Sequence, residues 1–430
     1  MVCNCLNVNE AGHLTIGGVD TVELAREYGT PLYVMDEETI RAACKSYKAS
    51  IDDNYGKGMP LYASKAFSCK EMYRIAAQEG IGIDVVSGGE IYTALQAGFP
   101  AEKMFFHGNN KTPDELKMAL EAEVGHIVVD DISELYLIDE LAAASGKCPK
   151  LFFRIKPGID AHTHAFIRTG QIDSKFGFAL ENGEALAALE KAATLRHVQP
   201  VGVHCHIGSQ IFQLEPFVEA AKLMVEFMAQ VRDVAGLQLS GLNLGGGFGI
   251  RYTQKDEPRE YSEFMQAVSA QVHASCAQLS LDMPEIFIEP GRSIVGPAGI
   301  TLYTVGAIKR IENVRTYLAV DGGMTDNPRY ALYQADYEAI VANKADQPRD
   351  FEVTIAGKCC ESGDLIQEHT KIQQCSRGDL LAVEATGAYN YSMASNYNRI
   401  PRPAVVMVRD GKARLVVQRE SYADLVKNDI

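Results

Sequence analysis

Four short stretches carry side chains whose types and spacing suit chemistry. Tyr62-Ala63-Ser64-Lys65 ends an apolar run on a lysine. An ammonium at the rim of a packed core is costly to strip of water, and desolvation lowers its pKa toward a nucleophilic amine able to condense with a carbonyl. A lone lysine is more often a solvated surface group. Asn243-Leu244-Gly245-Gly246-Gly247-Phe248-Gly249 lets backbone come close to a ligand and aim amides at an anion, although a tight turn explains such a cluster equally well. It fits neither the dinucleotide fingerprint nor the nucleotide P-loop. Ile288-Glu289-Pro290-Gly291-Arg292 sets a carboxylate beside a guanidinium. Arg292 suits a phosphate or carboxylate, and Glu289 suits a protonated ring nitrogen. In His204-Cys205-His206-Ile207-Gly208-Ser209-Gln210 two imidazoles alternate onto one side of a strand. They serve either to stack on an aromatic ring, with Ser209 donating to phosphate, or as half of a metal site that His162 and His164 would reinforce. No full ligand set can be assembled around them, so no metal is expected.

The elements that must position these residues follow from periodicity. Short apolar runs occur at Leu61–Ala63, Ile83–Val86, Met104–His107, His126–Asp130, Leu151–Ile155, Val201–His206, Leu242–Leu244 and Glu285–Glu289. Segments of helical spacing separate them, at Ser68–Gln78, Glu90–Gln96, Pro113–Glu121, Ile132–Ala144, Asn182–Ala193, Glu215–Val234 and Ser262–Gln278. Several end on a glycine suited to a left-handed cap, such as Gly80, Gly98 and Gly236. Strand–helix alternation with both strand faces apolar means a parallel sheet, and eight runs match a closed (β/α)8 barrel better than an open doubly wound sheet. In such a barrel the carboxyl ends of the strands face one mouth, and phosphate sites favour the loops after strands seven and eight. Lys65, the glycine loop and Glu289 then share a rim. An amine, a phosphate cradle and an acid are together what pyridoxal phosphate requires.

After Arg292 the texture becomes β-rich. Val305–Ile311, Thr316–Val320, Phe351–Ala356, Leu380–Val383, Ala404–Arg409 and Lys412–Val417 read as strands, the last two joined at Asp410-Gly411. The expected architecture is α/β plus all-β: a barrel over residues 38–298, and a second β-barrel or sandwich domain from residues 1–37 and 299–430, with Pro31–Met35 expected to join it as a strand. Of the 430 residues 47% are hydrophobic and 23% charged, the balance of a water-soluble globular protein. A formal net charge of -15 without a Lys/Arg run argues against nucleic acid. No apolar stretch approaches a membrane span, and no secretion signal is seen. Ten scattered cysteines read as reduced thiols in a cytoplasmic protein.

From Gly29-Thr30-Pro31 to Arg402-Pro403-Ala404 the chain resembles the diaminopimelate decarboxylases, within the alanine-racemase-like pyridoxal enzymes. The motifs are Tyr62–Lys65, His107-Gly-Asn-Asn-Lys111, His204–Gln210, Asn243–Gly249, Glu289–Arg292, Asp321-Gly-Gly-Met324, Cys360-Glu-Ser-Gly-Asp364 and Ser392-Met-Ala-Ser-Asn-Tyr-Asn398. The resemblance implies that Lys65 holds pyridoxal phosphate covalently, that His206 stacks on its ring and that Glu289 pairs with its nitrogen. It puts Ser209, Gly245, Gly246, Gly247, Gly291, Arg292 and Tyr389 around the phosphate or adjacent substrate. Arg329 and Tyr333 match residues that bind the distal carboxylate of meso-2,6-diaminopimelate, and Glu361 would take its ammonium. Cys360 would be the proton donor, ahead of Lys65. Cys360 and Glu361 are expected to reach the site from the other subunit of an obligate homodimer, with Lys175 pairing with Asp364 of the partner chain. Tyr330 departs from the usual proline after that arginine. Asp84, Glu90 and His107 are expected to support the site without a defined role. The rival readings are an ornithine, arginine or carboxynorspermidine decarboxylase, a racemase of the same fold, a non-enzymatic homologue, or a metal hydrolase.

Overall fold

The computed structural model describes residues 1–159 and 173–430; His162 and His164 fall outside them. The described residues form two compact units. One contains Met1–Ala42, Ile250–Glu257 and Arg292–Ile430, the other Ala43–Gly249 and Pro258–Gly291.

The second of these is a closed ring of eight parallel strands. They are Gly58–Ala63, Gly82–Val85, Met104–Phe106, His126–Val129, Lys150–Lys156, Gln199–His204, Gly241–Asn243 and Glu285–Ile288, paired in that order with the eighth returning to the first. All eight runs read from the sequence are strands. Pro60 lies inside the first strand rather than ahead of it, and a two-residue strand, Phe178–Ala179, adds to the fifth.

Local chemistry sets the helix ends. Thr112 and Glu115 form a reciprocal capping box ahead of Pro113–Glu121, and the Asp131 carboxylate accepts from the amides of Ser133 and Glu134 to start Ile132–Ser145, which stops at Gly146 with φ 65°. Leu61, Phe105, Val128, Phe152 and Phe287 come from the first, third, fourth, fifth and eighth strands yet pack as one cluster. Only the inside of the ring brings such strands together. Phe152 fills space that its neighbours leave vacant: a Cβ on Gly202 or Gly241 would lie 2.4 Å from its ring. Those two glycines are a packing requirement.

The other unit is built on the long strand Gly299–Ile311, which pairs antiparallel with Leu32–Asp36, Arg315–Val320 and Leu380–Val383. Ala404–Arg409 runs parallel to Leu32–Asp36 and forms a hairpin with Lys412–Val417. The N-terminal strand read at Pro31–Met35 thus belongs to this sheet. Leu365–Ile372 ends the sheet beside Phe351–Ala356; its alternation with Gln, Glu, His and Lys suits an edge and hides it from a search for apolar runs. The unit also contains helices that the β-rich reading omits, Thr21–Tyr28, Arg329–Tyr333 and Tyr422–Val426 among them.

Because Phe152 is fully buried among aromatic partners, Phe152→Ala should destabilise the barrel by about 3–5 kcal/mol. Urea unfolding of the cofactor-free protein measures this, and a change under about 1 kcal/mol would mean that the ring interior can collapse around the gap.

Candidate active site

The chemistry-bearing residues of the barrel unit gather where its strands end. Glu289 follows the eighth strand and is 7% exposed. Asn243, the last residue of the seventh strand, donates from Nδ2 to Glu289 Oε1 at 2.7 Å. His204, the last residue of the sixth, brings Nε2 to 3.3 Å from Oε2, and His107, just past the third, brings Nε2 to 2.9 Å from Oε1. Burial alone would raise the Glu289 carboxyl. The imidazoles of His107 and His204 outweigh it and hold the acid well below the usual carboxylate range. Burial pushes His204 down to about 4, so at neutral pH it is an uncharged ring whose Nε2–H tautomer suits an acceptor-only carboxylate. The outcome is a buried carboxylate kept ionised by fixed donors.

The glycine loop is locked to the same carboxylate end. Gly245 N–H donates to Asn243 Oδ1 at 2.9 Å and Gly246 N–H to His206 Nδ1 at 3.3 Å, so two amides expected to face an anion are engaged within the protein. Close approach explains the glycines. A Cβ on Gly246 would lie 2.0 Å from the Glu289 carbonyl oxygen, and one on Gly247 2.4 Å from that of Gly208. Gly291 packs as tightly, since its Cβ would meet that of Ala63 at 2.9 Å. His206 lies beyond the sixth strand and is half-buried; burial, then the charges of Lys65 and Arg154, push its imidazole well below the usual histidine range. Ser209 is half-buried in the same loop.

Lys65 sits in a short 3-10 turn after the first strand and is exposed in the single chain. This differs from the desolvated amine expected from sequence. Its charge nonetheless acts on Asp84, Glu90 and His206. Asp84 is 3% exposed; burial raises its carboxyl, and Oδ1 has no hydrogen-bond partner among the described residues. Glu90 accepts the Val86 N–H at 2.8 Å, yet burial pushes it up to about 7. An amine among two acids and an imidazole, an ionised Glu289, and backbone crowded onto glycine form a donor set that fits pyridoxal phosphate.

His107, His204 and Glu289 are also close enough to share a cation. The sequence had paired His204 with His206 and so missed this trio. Asn243 already donates to one carboxylate oxygen of Glu289, and the tautomer that suits His204 directs N–H rather than a lone pair at the other. Asn243 and His204 hydrogen-bond to Glu289, and His107 Nε2 lies beside it.

In the other unit, two arginines share one tyrosine. Arg292 donates from Nη1 to the Tyr252 hydroxyl at 2.6 Å, and its guanidinium lies 4.7 Å from the centre of the Tyr389 ring. Tyr389 adopts φ 63°, uncommon for a side-chain-bearing residue. Arg329, 7% exposed, stacks 4.6 Å from the Tyr252 ring and donates to the Tyr337 hydroxyl at 2.8 Å. Asp326, which accepts from Gly323 N–H and Tyr303, fixes the turn leading into Arg329. Tyr333 is half-buried at the end of the same short helix, and the tyrosine bonded to Arg329 is Tyr337. Tyr330, in the position of the usual proline, bonds to Glu368, so it does not set the aim of Arg329. Tyr252 and Tyr337 carried no motif signal.

Cys360 and Glu361 are exposed, with the Cys360 N–H held by Asn398 Oδ1 at 2.8 Å. Asp364 is different. It is 3% exposed, and its carboxylate accepts the N–H groups of Met324 and Cys359 at 2.6 and 2.7 Å. Both oxygens accept an amide of their own chain, and each keeps a lone pair for a further donor. Lys175 itself is exposed, with Nζ 5.0 Å from the Phe176 ring.

Residues 37–296 match the pyridoxal binding domain of the pyridoxal-dependent decarboxylases. The diaminopimelate decarboxylase of Bacillus subtilis is 53% identical over 98% of this chain and 96% of its own length. The crystal structure of diaminopimelate decarboxylase from M. jannaschii in complex with L-lysine superposes with a TM-score of 0.92 at 36% identity, covering 100% of this chain and 98% of that one. The Helicobacter pylori enzyme, also complexed with L-lysine, gives 0.87 at 32% identity over 95% and 98%.

The raised acids predict a pH dependence. A carboxyl whose folded pKa exceeds its unfolded value takes up protons on folding, so stability falls as pH rises between the two, here from roughly 4.5 to about 7 for Glu90. Glu90→Gln should flatten that fall in cofactor-free protein, as read from urea midpoints across the window. An unchanged slope would mean that Glu90 titrates as a solvated acid.

Proposed function

The chain belongs to the diaminopimelate decarboxylase family of pyridoxal-dependent enzymes, and from that premise we propose that it removes the carboxylate at the D-configured carbon of meso-2,6-diaminopimelate, releasing L-lysine and carbon dioxide. The observation that carries the substrate assignment is Arg329. It is a buried cation whose partners among the described residues are tyrosines, with no carboxylate to balance it. A buried charge without a counter-ion is costly, so the position suits an incoming anion. Ornithine-type substrates end in a bare amine and have no use for it; diaminopimelate ends in an amine and a carboxylate.

Pyridoxal phosphate supplies the electron sink that makes loss of carbon dioxide feasible. Lys65 would hold the cofactor through Nζ and yield that position to the substrate amine. Glu289, kept ionised by its neighbours, would stabilise a proton on the ring nitrogen, with His206 against the ring face. Ser209, Gly245, Gly246, Gly247, Gly291, Arg292 and Tyr389 would serve the phosphate end. Arg329 would grip the distal carboxylate, with Tyr333 beside it, and Glu361 the distal ammonium. Cys360 Sγ would deliver a proton to the carbon that loses carbon dioxide and regain one from solvent.

We further place Cys360 and Glu361 in the partner subunit's site of a homodimer. Their exposure in the single chain supports that reading. No disulfide joins any of the ten cysteines, which supports a reducing cytoplasm.

Arg329→Gln should raise KM for diaminopimelate roughly 10- to 100-fold, the worth of a charge-assisted hydrogen bond, with cofactor binding retained. An unchanged KM, or faster turnover of ornithine by the unmodified protein, would remove diaminopimelate as substrate. Shared sites make a second prediction. Lys65→Ala and Cys360→Ala proteins, each inactive, should regain about a quarter of full activity when mixed and allowed to exchange, because half the dimers carry one intact site. No recovery despite exchange would mean that each site lies within one chain.

A further inference from the structure

Tyr252 contacts both arginines of the second cluster with different parts of one side chain. Its hydroxyl accepts from Arg292 Nη1 at 2.6 Å, and its ring lies 4.6 Å from the Arg329 guanidinium and edge-on to Tyr337 at 5.5 Å. It is 6% exposed. The segment carrying it is itself fixed: the Asp256 carboxylate accepts the N–H groups of Tyr252 and Thr253 at 3.0 and 2.8 Å and the Thr253 hydroxyl at 3.1 Å. Two guanidiniums on one ring repel each other, and each has long, rotatable arms. A rigid aromatic anchored through its own backbone removes that freedom before a ligand arrives.

We propose that Tyr252 is the positioning residue for both cations, its hydroxyl aiming Arg292 and its ring aiming Arg329. The inference rests on the diaminopimelate reading for what Arg329 binds and on the pyridoxal phosphate site for what Arg292 binds. Tyr252 touches neither ligand in this account. It acts through the two arginines: the hydroxyl holds Arg292 alone, and the ring faces Arg329 at 4.6 Å and Arg292 more distantly at 5.7 Å.

The two halves can be removed one at a time. Tyr252→Phe keeps the ring and removes the hydroxyl; Tyr252→Leu removes both. Cofactor-free protein titrated with pyridoxal phosphate gives Kd from the visible absorbance, and steady-state assays give KM for diaminopimelate. Tyr252→Phe should weaken cofactor binding about tenfold, the lower end for a hydrogen bond to a charged group, and leave KM within about twofold. Tyr252→Leu should weaken cofactor binding at least as much, because the ring also faces Arg292, and should raise KM about threefold to thirtyfold, the range for a lost cation–π contact. In an Arg329→Gln background the Leu substitution should raise KM no further, because the residue through which it acts is gone. Additive effects in that double variant, or a Phe variant that shifts KM but not cofactor Kd, would overturn the proposal. Should the Leu protein fail to fold, the Phe variant still decides the hydroxyl's half. Absence of diaminopimelate turnover by the unmodified protein would sink the substrate reading instead, with the cofactor titration still testing the aim of Arg292.

Discussion

The barrel site depends on one ionised carboxylate kept out of water. Glu289 stands at the end of the eighth strand, where desolvation favours the protonated acid. The fold answers with groups from three other strand ends: Asn243 and His204 hydrogen-bond to the carboxylate, and the His107 imidazole lies beside it. A closed parallel ring suits this, because it brings the carboxyl ends of non-neighbouring strands to one rim. Backbone crowding at that rim then leaves room only for glycine at 246, against the Glu289 carbonyl, and at 291, against Ala63. The same constraint that builds the acid's surroundings therefore produces the glycine motif.

The second unit solves an opposite problem. Arg329 is nearly buried without an acid beside it, and the aromatic faces and hydroxyls of Tyr252 and Tyr337 supply partial compensation. Such contacts are weaker than an ion pair and leave the cation receptive to an anion. One unit thus holds a prepared negative charge and the other prepared positive ones.

Much of this was legible in the sequence. Eight apolar runs became eight barrel strands because a parallel strand buried on both faces leaves an unbroken apolar signature. Edge strand Leu365–Ile372 was missed because one of its faces is polar. Lys65, the glycine loop and Glu289–Arg292 stood out because each closes a run at the same end of its strand. What pairs with what was not legible. Period-two spacing grouped His204 with His206, whereas the strand stops at His204, which turns to Glu289 while His206 meets Gly246. Tyr252 lies far from Arg329 and Arg292 in sequence, and Tyr337, eight residues after Arg329, belongs to no motif; only folding brings them together. The resemblance marked Asp364 as an interface charge, but the two amides its carboxylate accepts within its own loop were not legible in the sequence.

We propose that the Lys65 amine, alone among the lysines, holds the cofactor opposite an ionised Glu289. Borohydride reduction of the loaded protein fixes the cofactor to whichever amine carries it, and peptide mass spectrometry then locates the adduct. The account predicts a single pyridoxyl-modified peptide, the one containing Lys65. Modification at another lysine, or a reduced protein without any adduct, would contradict it.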